Sequence, residues 1–150
     1  NLVFSRSLET LRTIAVTSSA PSEGKSTTAA NLAVTFALQG MRVLIVDCDL
    51  RKARLHRVFQ SPREPGLTQL ILGFNSIDEV VRPTSVNDLF LLPGGTLPPN
   101  PAELVGGPRM RQVLRDLSER FDLVIIDTPP LLAASDAAII GTLVDGMLLV

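Results

Sequence analysis

The sequence has no tyrosine and no tryptophan, and its one cysteine is Cys48. Without tyrosine it offers no phenolic hydroxyl of its own as an acceptor. A single cysteine excludes an internal disulfide and suits a reducing compartment. Charge of one sign is also missing: 14 Lys and Arg stand against 15 Asp and Glu, a net charge of −1. That balance gives no electrostatic case for nucleic acid as a partner. No apolar run approaches the roughly 18–20 residues that span a bilayer, and no signal peptide is visible. Internal repeats and low-complexity segments are absent too. What is abundant is apolar side chain, 45% of 150 residues. Such a chain forms a core and is not disordered. Its length suits a single domain, 1–150, that buries about two-thirds of the unfolded surface. The chain opens at Asn1 and closes inside the apolar run Met147 to Val150, which reads as a fragment cut at both ends.

Five short apolar runs lack polar alternation: Ile14 to Thr17, Val43 to Val46, Leu89 to Leu92, Leu123 to Ile126 and Met147 to Val150. Runs of this kind suit strands covered on both faces, as in parallel sheets. Helical patterns lie between most of them. Ser26 to Gln39 is apolar nearly all round and ends at Gly40, a suitable C′ residue. Met110, Val113, Leu114 and Leu117 form an i, i+3, i+4, i+7 stripe behind Pro108, which is well placed at N1. Asn100-Pro101 reads as a second cap-and-N1 pair. Shorter helices are expected around Leu55 to Phe59, Leu67 to Leu72 and Ile77 to Val81, and Pro93 to Pro101 is the most loop-like stretch. The alternation predicts an α/β fold, a doubly wound, mainly parallel sheet with helices on both faces.

The densest chemical signal is Ser19-Ala20-Pro21-Ser22-Glu23-Gly24-Lys25-Ser26, set between the first apolar run and the first long helix. Strand, loop ending in Gly-Lys-Ser, then helix is the context that makes a P-loop. Backbone N–H groups in the loop and at the helix N-terminus lack helical partners and converge on an anion. Lys25 can reach the outer phosphates of a nucleotide, and the Ser26 hydroxyl can ligate Mg²⁺. Ser22, Glu23, Gly24, Lys25, Ser26 and Thr27 are thus the candidate cofactor-binding residues, with Thr27 open to the simpler reading of a first-turn helix residue. Ser19 replaces the first glycine of the usual pattern, so Gly24 is the loop's only one.

Two apolar runs end in acids. Val43 to Val46 leads into Asp47-Cys48-Asp49, and Leu123 to Ile126 leads into Asp127. In an open parallel sheet, ligands bind beyond the carboxyl ends of the strands. Taken singly, each acid reads equally well as a turn former or helix cap. Beside a P-loop, they are the carboxylates that Mg²⁺-dependent phosphoryl transfer requires.

The segments TSSAPSEGKSTTAANLA, VLIVDCDLRKARLH, LPPNPAEL and FDLVIIDTPPLLAASDA span nearly the whole chain in one order. In that order the chain resembles the nucleotide-binding half of the bacterial tyrosine kinases that serve capsule and exopolysaccharide assembly. Its most specific element is the acid pair followed by arginine, Asp47, Asp49 and Arg51. Ser22 departs from the family's usual glycine. The resemblance implies ATP and Mg²⁺ as cofactors and Lys25, Asp47, Asp49 and Asp127 as the catalytic set. Ser26, Asp49 and Asp127 would serve the metal, and Asp47 would orient an acceptor tyrosine hydroxyl. Full prior deprotonation of a tyrosine by an ordinary aspartate would cost roughly 8 kcal/mol, so orientation with late proton transfer is the expected role. The resemblance also implies a homo-oligomeric ring, a membrane-embedded polysaccharide co-polymerase or activator segment, a cognate tyrosine phosphatase, and a place at the cytoplasmic face of the inner membrane for an otherwise soluble fragment. The family's oligomerisation helix would precede Asn1, and its tyrosine-rich tail would follow Val150.

The remaining polar residues have simpler readings. Cys48 is expected as a small buried residue and His56 as a surface helix residue. Arg51 reads as a contact to phosphate or to a neighbouring subunit, or as a solvated helix start. Arg51, Lys52, Arg54 and Arg57 together read as a solvated basic face or a contact to an acidic partner. The rival for the whole chain is an ATP-dependent partition or division-site switch, which shares fold and acidic motifs. Such ATPases commonly carry a lysine after the first loop residue, where this chain has Ala20. A third reading is a non-catalytic ATP-binding module.

Overall fold

Residues 2–4, 12–19, 24–130 and 144–150 are described by the structure, a computed structural model. The elements are β1 (Leu2–Phe4), β2 (Thr13–Thr17), α1 (Gly24–Leu38), β3 (Val43–Asp47), α2 (Leu55–Val58), α3 (Leu67–Leu72), α4 (Ile77–Val80), β4 (Arg82–Pro83), β5 (Leu89–Leu92), α5 (Pro101–Gly106), α6 (Pro108–Arg120), β6 (Leu123–Asp127) and β7 (Gly146–Leu149). One seven-stranded sheet has the order β1-β7-β2-β6-β3-β5-β4. The inner strands β7, β2, β6, β3 and β5 run parallel. The edge strands β1 and β4 are antiparallel to their neighbours. Neither edge strand is foreseen in the sequence. Arg82–Pro83 carries no apolar pattern, and Leu2–Phe4 is too short to show a period.

Alternate residues of the inner strands bury on opposite sides. Ile14, Val16, Val43, Ile45, Leu89, Leu91, Leu123 and Ile125 pack with α1 and with Leu55 of α2. Ala15, Leu44, Val46, Leu92, Val124 and Ile126 pack with α3, α5 and α6. This is why the strand sequences show no polar alternation: each apolar side chain removed from water contributes about 1.5–3 kcal/mol on whichever face it lies. The doubly wound arrangement expected from the sequence is the one observed. Among the described residues, no helix is long and apolar enough to cross a membrane.

The helix ends follow local chemistry in most places. Gly40 adopts φ +90, the left-handed conformation that closes α1. Pro108 opens α6, whose residues Met110, Val113, Leu114 and Leu117 are buried. Asn100 corrects the expectation of a side-chain cap. Its amide donates to Glu103 Oε2 at 2.6 Å, and only its backbone carbonyl joins the helix, accepting from the Leu104 N–H at 3.2 Å.

The loop after β5 is anchored to the start of α3. Leu67 N–H donates to the Pro93 carbonyl at 2.8 Å, Thr68 N–H to Gly94 O at 3.1 Å, and the Thr68 hydroxyl to Thr96 O at 2.6 Å. Arg63 ties the same loop to the turn after β3, donating through Nε to Gly95 O at 2.6 Å and through Nη2 to Leu50 O at 2.8 Å. Gly66 permits this contact, since a Cβ there would lie 2.3 Å from Pro93 O and 2.5 Å from Gly95 N. Both neighbours are backbone and cannot rotate away. Gly66→Ala should therefore destabilise the fold by about 1–3 kcal/mol, read as a lower urea midpoint with an unchanged slope.

Candidate active site

Strand order decides which residues meet. The P-loop follows β2 and the acid pair straddles the end of β3, and β6 lies between those strands. In the parallel register Val16 stands beside Asp127, and Asp127 beside Asp47. The carboxyl ends of three adjacent strands are thus level. Asp47 and Asp127 are the last residues of their strands, each of which runs one residue past its apolar run. Their backbone is fixed by the ladder and its continuation, in which Cys48 N–H donates to Asp127 O at 2.8 Å. Thr128 extends the same anchoring, with its N–H and its hydroxyl donating to Val16 O at 3.0 and 2.9 Å.

Asp127 is the hub. The Lys25 ammonium donates to its Oδ1, and the Ser26 hydroxyl donates to its Oδ2 at 2.7 Å. Lys25 is 2% exposed and Asp127 1% exposed, so this ion pair is formed out of water. Burial pushes the Asp127 carboxyl above its usual range, and the Lys25 charge offsets that only in part. Lys25 and Ser26 are presented together because they open the first turn of α1. Gly24 and Thr27 flank them and are exposed. Ser22 and Glu23, also candidates for phosphate contact, lie outside the described residues.

Asp47 is fully buried and accepts three backbone N–H groups. Its Oδ1 accepts from Asp49 N–H at 3.1 Å, and its Oδ2 accepts from Arg54 and Leu55 N–H at 2.9 and 3.0 Å. The carboxylate therefore caps α2, whose own N-cap residue, Arg54, makes no side-chain cap bond. The sequence reading set capping aside at this position, yet the geometry joins it to the place Asp47 holds beside Asp127. Burial pushes the Asp47 carboxyl up to about 7, helped by the charge of Asp127 and resisted by the N–H groups of Leu55 and Arg54. Asp49 adds to the upward shift of both neighbours, which places its charge in the same cluster. Its own Oδ1 accepts Lys52 N–H at 3.2 Å.

A raised carboxyl makes a signed prediction. Protons are bound more tightly in the folded state, so the stability from Asp47 is complete below the unfolded value of about 4 and is lost as pH rises toward 7. Carbon-detected titration of the Asp47 carboxyl should give a midpoint near 7, and Asp127→Asn should lower it by removing a neighbouring negative charge. A midpoint in the ordinary carboxylate range would contradict this picture.

Cys48 is buried, as read from the sequence, and Arg51, Lys52 and Arg57 lie on the surface. His56 is not a plain surface residue: it is half-buried, and its Nδ1 is sequestered without a hydrogen-bond partner. Burial, with Arg63 and Arg57 nearby, holds its pKa below the usual value. Sequence reasoning missed Arg63 and the bond from Asp47 to α2. Neither has a local signature, because each joins segments that touch only after folding.

A family profile described as AAA domain matches residues 11–144. Tyrosine-protein kinase YwqD of Bacillus subtilis (strain 168) is 43% identical over 150 residues, covering all of this chain and 63% of that protein. The kinase domain of Escherichia coli tyrosine kinase ETK aligns with a TM-score of 0.90 at 37% identity, over 95% of this chain and 56% of the solved one. The septum site-determining protein MinD of Pyrococcus horikoshii OT3, solved with Mg-ADP, aligns with a TM-score of 0.74 at 25% identity, over 93% of this chain and 57% of the solved one. This chain spans less than two-thirds of each of these proteins. The level strand ends, the lysine and serine at the head of α1 and these likenesses point the same way, and the chain belongs to the AAA domain family, on the branch whose named relatives are bacterial tyrosine kinases.

Proposed function

We propose that this chain is the nucleotide-binding and phosphoryl-transfer part of a protein-tyrosine kinase that uses Mg·ATP and serves capsule or exopolysaccharide assembly. One observation carries the reading: Lys25 and Ser26 converge on Asp127, and Asp47 stands level with it on the adjacent strand. The donor set suits Mg²⁺. That ion takes one or two protein oxygens and completes its shell with phosphate and water. Ser26 and Asp127 offer such oxygens, with Asp49 close by. Among the described residues, no group of three or more His, Cys, Asp or Glu is arranged to hold a metal alone.

Mg·ATP, when bound, supplies the transferable phosphoryl group and the divalent charge that offsets it. Lys25 turns from Asp127 to the outer phosphates and neutralises them. Ser26 and Asp127 hold the metal side, while N–H groups at the head of α1 face the phosphates. Asp47 accepts the hydrogen bond of the incoming hydroxyl and lines its oxygen up for attack. Burial holds the Asp47 carboxyl above the ordinary aspartate range, the direction that suits taking up a proton late. The acceptor tyrosine comes from outside this sequence, which has none. A homo-oligomeric ring at the cytoplasmic face of the membrane, a membrane-embedded activator or co-polymerase segment, and a phosphatase to reverse the modification complete the proposal.

The likeness to MinD favours a second reading, an ATPase switch in which Asp47 orients water. Incubating the full-length protein with Mg·ATP and assaying phosphotyrosine and released phosphate separately divides the two. Phosphotyrosine is the expected product. Phosphate release alone would assign the switch, and neither product would end both readings.

A further inference from the structure

A cavity of about 280 Å³ lies at the end of the sheet opposite the strand-end acids, lined by Arg12, Thr13, Arg111, Leu114, Arg115, Ser118 and Asp145. Arg12 immediately precedes β2, so the length of that strand, about 16 Å, separates the cavity from the P-loop. Three arginines line it with one carboxylate residue, Asp145. Asp145 is turned to the backbone, its Oδ2 accepting the N–H groups of Arg12 and Thr13 at 2.9 and 3.3 Å. The Arg12 side chain makes one long contact, to Ser118 O at 3.4 Å.

The arginines of α6 divide by position. Arg120 pairs with Asp78 at 2.9 Å, and Arg109 donates to the Ile71 carbonyl at 3.0 Å. Arg111 and Arg115, one helical turn apart, are the two that line the cavity, and among the described residues neither is ion-paired with a carboxylate. The acid nearest in sequence, Asp116, takes its hydrogen bond from Gln112 at 2.8 Å, and Arg115 reaches only Gln112 Oε1, at 3.5 Å. Two arginines one turn apart on one helix, with Arg12 lining the same cavity, supply the charge and the forked donors that a multiply charged oxyanion takes.

We propose that this cavity is a phosphoryl-binding site, separate from the P-loop, in which Arg12, Arg111 and Arg115 hold a multiply charged phosphate group. Its volume falls below the roughly 300–1,000 Å³ of sites that enclose a whole drug-sized ligand. It is of a size to seat an oligophosphate or one phosphorylated side chain.

Equilibrium dialysis of the full-length protein at low ionic strength tests this with two probes, pyrophosphate and a phosphotyrosine peptide. Arg111→Ala, Arg115→Ala and Arg120→Ala each remove one positive charge from an α6 side chain, and circular dichroism checks that each remains folded. Binding at the P-loop is common to all of them and cancels in the comparison. The expected result is a saturable site that either probe fills, weakened by about tenfold or more in Arg111→Ala and Arg115→Ala and unchanged in Arg120→Ala. The tighter probe then names the source of the phosphate. Equal weakening in all three variants would mean diffuse charge attraction and would overturn the proposal, as would the absence of any site that depends on Arg111 and Arg115. None of these outcomes depends on whether the chain proves to be a kinase or a switch.

Discussion

Lys25→Met, made in the full-length protein, should lower phosphotyrosine formation by at least about a hundredfold, the scale on which a preorganised charge partner of a transition state acts. The fold should survive it. Lys25 is buried against Asp127, but burial already biases that carboxyl toward its neutral form. Losing the ammonium leaves Asp127 able to take up a proton while it still accepts from Ser26. The variant should melt below the parent, because Asp127 loses its buried partner, while its turnover falls far more than its stability. Near-normal autophosphorylation would remove Lys25 from the mechanism. Asp47→Asn should also abolish most activity, but for two reasons that must be separated. An amide in place of the carboxylate presents an NH₂ to backbone donors that now bond Asp47, so the start of α2 loses a partner as well as the acceptor hydroxyl. Retained Mg·ATP binding together with lost transfer would isolate the chemical role.

Asp127→Ala is the converse experiment and should be the more damaging to stability. It strands the Lys25 ammonium in a site 2% exposed to solvent. Removing one partner of a buried pair typically costs about 3–5 kcal/mol, because the other charge is left uncompensated. Denaturant titration should show that loss, and Lys25→Met/Asp127→Ala should recover part of it, since no charge is then stranded. If the double variant is as unstable as the sum of the singles, the pair is not coupled. Activity should be lost in all three.

The sheet was legible wherever both faces of a strand are covered. Val43 to Val46 and Leu123 to Ile126 have no polar alternation for that reason, and both are central strands. The helix of Met110, Val113, Leu114 and Leu117 was legible from its period. The edge strands escaped for different reasons: Leu2–Phe4 pairs with a strand at the far end of the sequence, and Arg82–Pro83 has no apolar pattern and is a strand only because it pairs with Phe90 and Leu91. At the site, the residue types were readable from the Gly-Lys-Ser loop and the acids after apolar runs. Their mutual bonds were not. The contact between Lys25 and Asp127 spans 102 positions, and nothing local to either residue reports the other. Asp47 shows the limit most clearly. In the sequence its place beside a P-loop set the cap aside, while the folded chain gives this carboxylate a cap's bonds next to Asp127.

The central position of β6 has a consequence for how the site fails. Asp127 sits in the interior of the ladder, flanked on both sides by strands, with its neighbours out to β5 and β7 still between it and either rim. Fraying begins at rims, so this hub should be among the last places to admit solvent and exchange its amide hydrogen. Partial opening at β1 or β4 would then leave the hub assembled, and the meeting of Lys25, Ser26 and Asp127 would outlast the first losses of structure.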